Sequence, residues 1–375
     1  MSPGPRLLMV PVSGPRGMGE YARCLAIAAA VARRWPQVEI RFLVSREAPY
    51  AATCPFQAIL LPSSPTRCTA EVLAQLAEFR PGLVLFDNSG RTRQLQAAGD
   101  AGSRVFFVSS RSRQRRKAFR LRWMGMLDEH WISYPAPLTG ELTSLERWKL
   151  RWLGRPAVRF LDAVVAPPDA AAADALLVAA AAGSAATPGA DARGGGPGSA
   201  GDAPGASPDV VVVPGGGSSY PDARISPGHF VEWSRCLAAR GHRVVVVGGP
   251  QFDVPVTVAA RLTLLRGVPA GALMALLQRA RLVLVNGGDT LAQALALGRP
   301  CVAVPIAGDQ AARIARAAAL GVVAAPAVAD VPAECLRLLG QPGAAAHLQE
   351  RLAALGWRDA TPLILGRIGA ALGLG

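Results

Sequence analysis

Short apolar runs, nearly unbroken by polar positions, recur along the whole chain and limit what it can become. Residues 6–12, Val38–Val44, Leu83–Asp87 and Arg104–Val108 carry them in the first half, and Val210–Val213, Arg243–Val247, Leu282–Val285 and Cys301–Val304 in the second. A strand that is apolar on both sides is buried on both faces, as in a parallel sheet covered by helices. Segments with helical spacing stand between the runs. Over 20–34, Tyr21, Cys24, Leu25, Ile27, Ala28 and Val31 return to one side, and 69–79, 228–240, 269–279, 290–297 and 309–319 are also read as helices. Strands alternating with helices predict an α/β fold.

Residues 183–208 separate the two sets. They are rich in Gly, Ala, Ser and Pro, with no aromatic residue and no apolar period. Such a stretch reads as a flexible connector. A chain of 375 residues also exceeds one ordinary core. The expected organisation is a Rossmann-like domain over 1–165, an Ala-rich helix and linker over 166–208, a second Rossmann-like domain over 209–360, and a helix over 361–375 that packs back on the first domain. Ligands of such sheets sit beyond the carboxyl ends of the strands, so two domains facing each other would share a cleft.

No apolar stretch reaches the ~20 residues of a membrane-spanning helix. The first run is too short for a signal peptide, and a cytoplasmic protein is expected. The six cysteines are scattered without a Cys-x-x-Cys pair, and the four histidines form no pair, so no metal site is expected. The net charge of +14 and pI near 10.7 favour anionic partners. Arg far exceeds Lys among many Ala, Gly and Pro, which is also what a high-GC coding bias produces. No Gly-x-Ser-x-Gly elbow or Walker loop occurs.

Asn286-Gly-Gly-Asp-Thr290 follows an apolar run and opens a helix. Glycines let backbone approach an anion, and the N–H groups of a helix start stabilise a phosphate. Asp289 or Thr290 also fits as a plain helix cap. Further on come Gly298-Arg-Pro-Cys-Val-Ala-Val-Pro305 and Gly308-Asp-Gln310. The string 285–322 resembles the C-terminal half of family 28 glycosyltransferases. The resemblance implies a GT-B fold, two facing Rossmann-like domains with parallel sheets. It places Gly287, Gly288 and Thr290 on the donor diphosphate, and Asp309 and Gln310 on sugar or ribose hydroxyls. The family commonly has Glu where Gln293 stands; an amide binds a diol more weakly than a carboxylate does. Gly215 and Gly216, after Val213, resemble the Gly-Gly-Ser turn of GT-B proteins, and also fit a plain flexible turn.

The loop Gly17-Met-Gly19-Glu20, continuing to Arg23-Cys24-Leu25, resembles the Gly-x-Gly-His-x-x-Arg-Cys-Leu stretch of pseudaminic-acid-pathway nucleotide-sugar hydrolases. Glu20 stands where those enzymes carry a histidine. A carboxylate there fits a general base or a favourable first-turn charge. Asp87, at a strand's carboxyl end, fits a cleft residue or an Asx-turn.

Basic residues over 111–123, in a stretch that continues to Met126, and over 147–159 interleave with Trp, Met and Leu. That pattern suits an anionic membrane surface or an anionic acceptor. No nucleic-acid motif accompanies the charges, so nucleic acid is not expected. The function expected is metal-independent transfer of a sugar from a nucleotide-sugar donor, UDP-linked as one option, to an envelope or surface-glycan acceptor. The donor is substrate, and no cofactor is expected. Residues 1–165 would serve the acceptor, lipid-linked or otherwise anionic, and 209–360 the donor. The protein would lie in the cytoplasm or on the inner face of the cytoplasmic membrane. The alternatives are a nucleotide-sugar hydrolase and a non-catalytic nucleotide-sugar or polyanion binder.

Overall fold

A computed structural model of the chain describes residues 4–15, 17–185, 207–216, 225–256 and 261–374. Apart from its ends, the connector expected over 183–208 lies outside them. The chain divides into two compact units, Met1–Val165 with Trp357–Gly375, and Ala166–Gly356.

Unit 1 holds strands β1 (Arg6–Pro11), β2 (Glu39–Ser45), β3 (Gln57–Leu61), β4 (Leu83–Asp87), β5 (Arg104–Ser109), β6 (Glu129–Ser133) and β7 (Ala157–Leu161). Its helices are α1 (Gly19–Arg34), α2 (Thr69–Phe79), α3 (Thr92–Asp100), α4 (Ser112–Ala118), α5 (Leu121–Met124), α6 (Ala136–Thr139), α7 (Ser144–Leu153) and, from far along the chain, α15 (Thr361–Leu372). The strands pair in parallel in the order β3-β2-β1-β4-β5-β6-β7. In β1, Leu7 and Met9 join a core with Ile27, Val31 and Trp35 of α1 and its end, while Leu8 and Val10 join one with Val72 and Leu95 of α2 and α3. Alternation along one strand thus feeds two cores, one on each face. Ile364 and Ile368 of α15 complete the first, and a side chain at Gly369 would collide with the ring of Trp35.

Unit 2 holds β8 (Val210–Val213), β9 (Val244–Gly248), β10 (Leu262–Arg266), β11 (Leu282–Asn286) and β12 (Cys301–Val304), parallel in the order β10-β9-β8-β11-β12. Its helices are α8 (Ala170–Ala185), α9 (Pro227–Ala239), α10 (Ala270–Arg279), α11 (Asp289–Ala296), α12 (Gly308–Ala319), α13 (Val331–Gly340) and α14 (Pro342–Leu355). The Ala-rich α8 packs on α10 and β10, joined by an Arg279–Asp174 ion pair of 2.5 Å. Among the described residues no helix is long and apolar enough to cross a membrane.

Candidate active site

Each sheet reverses its strand order once, between β1 and β4 in unit 1 and between β8 and β11 in unit 2. Connections leave such a switch point in opposite directions and open a crevice at the carboxyl ends of the strands. In unit 1 Glu20 follows β1 and Asp87 ends β4, and in unit 2 Gly215, Gly216, Gly287, Gly288 and Thr290 follow the strands on either side of the switch point, whereas Asp309 and Gln310 open α12 after the next strand, β12.

In unit 1 the loop after β1 passes through Gly17, at φ +73°, a backbone region that favours glycine. Gly19 then opens α1, whose repeat puts Glu20, Arg23 and Cys24 on the side facing the end of β4. Asp87 is fully buried. Arg23 donates to its two carboxylate oxygens, through Nε at 2.7 Å and Nη2 at 2.8 Å, while Nη1 donates to Ser133 Oγ at 3.2 Å. The Cys24 thiol lies 3.8 Å from the same carboxylate; burial first, and then that negative charge, raise its pKa. A bidentate guanidinium–carboxylate pair away from water is a rigid joint, costly to break from either side.

Glu20 is placed differently. Its side chain is 12% exposed, and Oε1 accepts from Asn88 Nδ2 at 2.9 Å and from Arg111 at 3.5 Å. Asn88 stands at φ +50°, a region that asparagine tolerates better than most residues. Its amide also donates to Ser110 Oγ, and its carbonyl accepts from Ser110 N at 2.9 Å. Asn88 thereby ties the ends of β4 and β5 to Glu20, a role that sequence reading did not assign. Nearby, Lys117 donates to the Gly90 carbonyl at 2.9 Å; burial and then the charges of Arg91, Arg120 and Arg113 lower its pKa to about 8. His130 is fully buried, 2.8 Å from Ser109 Oγ, with its pKa lowered to about 3 by burial and then by Arg115.

In unit 2 the glycines are required by neighbours that leave no room for a side chain. Gly215 lies at φ +99°, and a side chain there would run into the amide of Asn286. A side chain at Gly249 would strike the backbone of Gly215 and Gly216. At Gly287 it would come within 2.8 Å of Gln310 Cβ, and at Gly288 within 2.8 Å of Asn286 Oδ1. Asn286, which sequence reading named only as part of its motif, is the latch. Its amide donates to the Pro214 carbonyl at 2.8 Å, and its own carbonyl accepts from Gly288 N at 2.7 Å. Thr290 and Gln293 follow, half-buried, in α11.

Gln310 faces inward. Its amide oxygen accepts from Ile306 N at 2.9 Å and Gly287 N at 3.3 Å, bracing the loop from behind. Arg313, one turn on, donates to the Gly287 carbonyl and, at 3.3 Å, to Asp309, whose side chain is 39% exposed.

Segments 111–123 and 147–159 divide between interior and surface. Arg115 is buried against Glu146 at 2.7 Å, and Trp123 is buried, whereas Trp148 and Trp152 are exposed.

No protein-family model matches the sequence, and no curated protein does. Solved structures do. The glycosyltransferase VinC in complex with dTDP is 14% identical, with 99% of this chain and 100% of that one covered and a TM-score of 0.56. A UGT transferase from Siraitia grosvenorii in complex with UDP is 13% identical over 98% and 99%, with a TM-score of 0.58. The spinosyn rhamnosyltransferase SpnG, complexed with spinosyn aglycone, is 16% identical over 96% and 99%, also at 0.58. With its two Rossmann-like units of parallel sheets, the chain therefore has the GT-B type of fold that these glycosyltransferases share.

Proposed function

We propose that this protein transfers a sugar from a nucleotide sugar to an anionic or lipid-linked acceptor of an envelope or surface glycan, at the cytoplasmic face of the membrane. The observation that carries this reading is the placement of Glu20 and of the Gly215–Gly216 and Gly287–Thr290 turns at switch points. Unit 2 offers crowded glycine backbone and the start of α11, and unit 1 offers an oriented, mostly buried carboxylate. The dTDP and UDP bound by two of the structural relatives point to a nucleoside diphosphate as the leaving group. The family 28 resemblance of 285–322 points the same way.

The chemistry assigned is a single displacement. Glu20 takes the proton of the acceptor hydroxyl as its oxygen bonds to the anomeric carbon. The bond from that carbon to the diphosphate oxygen breaks, and the electron pair leaves with the diphosphate. N–H groups at the start of α11 stabilise the developing charge, which is the basis for expecting no metal requirement, while those of Gly287 and Gly288 are turned to Gln310 and Asn286 and hold the loop in shape. Thr290 adds a hydroxyl, Gln293 the ribose contact and Asp309 a contact to sugar hydroxyls. Asp87, locked by Arg23, holds α1 rather than moving a proton, and Gln310 holds the loop.

The loop through Gly17 and Gly19 favours a second reading, hydrolysis, with water as the acceptor. Nucleotide release from a panel of nucleotide sugars, UDP-linked donors first, separates the two. Release only with a bacterial membrane extract supports the transferase, release without it the hydrolase, and no release in either case a non-catalytic binder. Glu20→Gln should reduce turnover by ~10²–10⁴-fold with donor binding retained; unchanged turnover would remove Glu20 as the base.

A further inference from the structure

Helix α7 is two-sided. Thr143 and Glu146 cap its start reciprocally, with Glu146 N to Thr143 Oγ1 at 3.1 Å and Thr143 N to Glu146 Oε2 at 2.8 Å. Its inner side is held by the Arg115–Glu146 pair, by Lys149 donating to the Phe119 carbonyl at 3.0 Å, and by Leu150 and Leu153 against Phe119, Met124 and Ile132. The outer side carries Leu145, Trp148 and Trp152, at 59%, 51% and 63% exposure. The two indoles stack at 5.9 Å between centroids and 11° between planes.

A stacked indole pair in water is an unusual use of large apolar surface. The charges around it say what covers it. Arg147 and Arg151 are exposed on the same helix, and Arg116, Arg120 and Arg122 on the α4–α5 segment, which meets α7 through Arg115 and Phe119. Glu146 is turned inward and consumed by Arg115, so the acid of α7 does not neutralise them. Indole rings with flanking guanidinium groups match the boundary of an anionic bilayer, where rings sit among head groups and cations meet phosphates.

We infer that the outer side of α7, through Leu145, Trp148 and Trp152, is a docking surface for an anionic phospholipid membrane. This deepens the lipid-linked-acceptor part of the proposed function, on which its biological meaning rests. It also narrows the exposed indoles of the basic segments to one helix. Trp123 and Met124, which the sequence pattern groups with the membrane-facing residues, lie in the core.

The test uses the whole chain with vesicles of phosphatidylglycerol and, separately, of phosphatidylcholine, at low salt. The expected result is sedimentation with the first and not the second, with quenching of tryptophan fluorescence by brominated lipid. Trp148→Ser with Trp152→Ser should weaken binding at least ~10-fold, since both signals are needed for stable attachment. Arg147→Glu with Arg151→Glu, which keeps the indoles, should also abolish it. Circular dichroism checks that each variant folds. Failure of the unaltered chain to bind, full binding by the indole variant, or self-association that the indole variant abolishes in the absence of lipid would each overturn the inference. Binding is read without sugar transfer. A chain that docks but releases no nucleotide keeps this surface and loses the proposed reaction, and one that releases nucleotide without docking does the reverse.

Discussion

His130 illustrates what a single buried group does to stability. Its Nδ1 has no hydrogen-bond partner among the described residues, and Phe107 and Phe119 flank the ring at 5.8 and 5.2 Å. With its pKa lowered to about 3, the folded chain keeps it neutral where the unfolded chain, titrating near 6.5, binds a proton. The unfolded state is then favoured as pH falls from about 6.5 toward about 3, by up to ~1.4 kcal/mol per pH unit. Denaturant titrations at successive pH values should show that slope, and His130→Gln should flatten it; an equal slope in both proteins would mean that the imidazole titrates freely. Asn286 makes a comparable demand in unit 2. Asn286→Ala leaves the Pro214 carbonyl and the Gly288 amide without their partner, at ~1–3 kcal/mol. Loosening of the loop should appear as weaker donor binding in calorimetry, larger than the stability loss alone explains.

At the scale of elements, α1 and β4 are joined by Arg23 and Asp87. Arg23→Met strands a buried carboxylate and should cost ~3–5 kcal/mol in unfolding free energy, whereas Arg23→Met combined with Asp87→Leu should recover much of it. If the double variant is no better than the single, the pair is not the joint described here. The strands that could be read directly, such as Leu83–Asp87, Val210–Val213 and Cys301–Val304, are buried at every position. β3, β7 and β10 escape such reading because they are edge strands of mixed burial. β6 escapes for another reason: it is central and buried, yet it spells Glu-His-Trp-Ile-Ser, and Arg159 and Arg367 pair with its Glu129 from elsewhere in the chain. The site divides in the same way. Gly17 is legible because its local backbone demands glycine, and Gly287 because it stands in a Gly-Gly turn between a strand and a helix, although the side chains that crowd it come from Gln310 and Ile314. The partnerships of Arg23 with Asp87 and of Asn286 with Pro214 span 64 and 72 positions, and no local window contains them.

At the scale of the molecule, residues 357–375 belong to unit 1 although all of unit 2 precedes them. Deleting them removes Ile364 and Ile368 from the core, at ~1.5–3 kcal/mol each, and takes Arg367 from Glu129. Limited proteolysis of the shortened chain should cut unit 1 well before unit 2; equal protection of both would mean that α15 adds nothing to the first core. The order in which the chain is synthesised sharpens the consequence. A ribosome releases unit 1 first but delivers its final helix last, so the apolar face awaiting α15 stays uncovered while the second unit is being made. An interrupted nascent chain cannot close its first half. Completion of that half therefore requires that the second has already been translated.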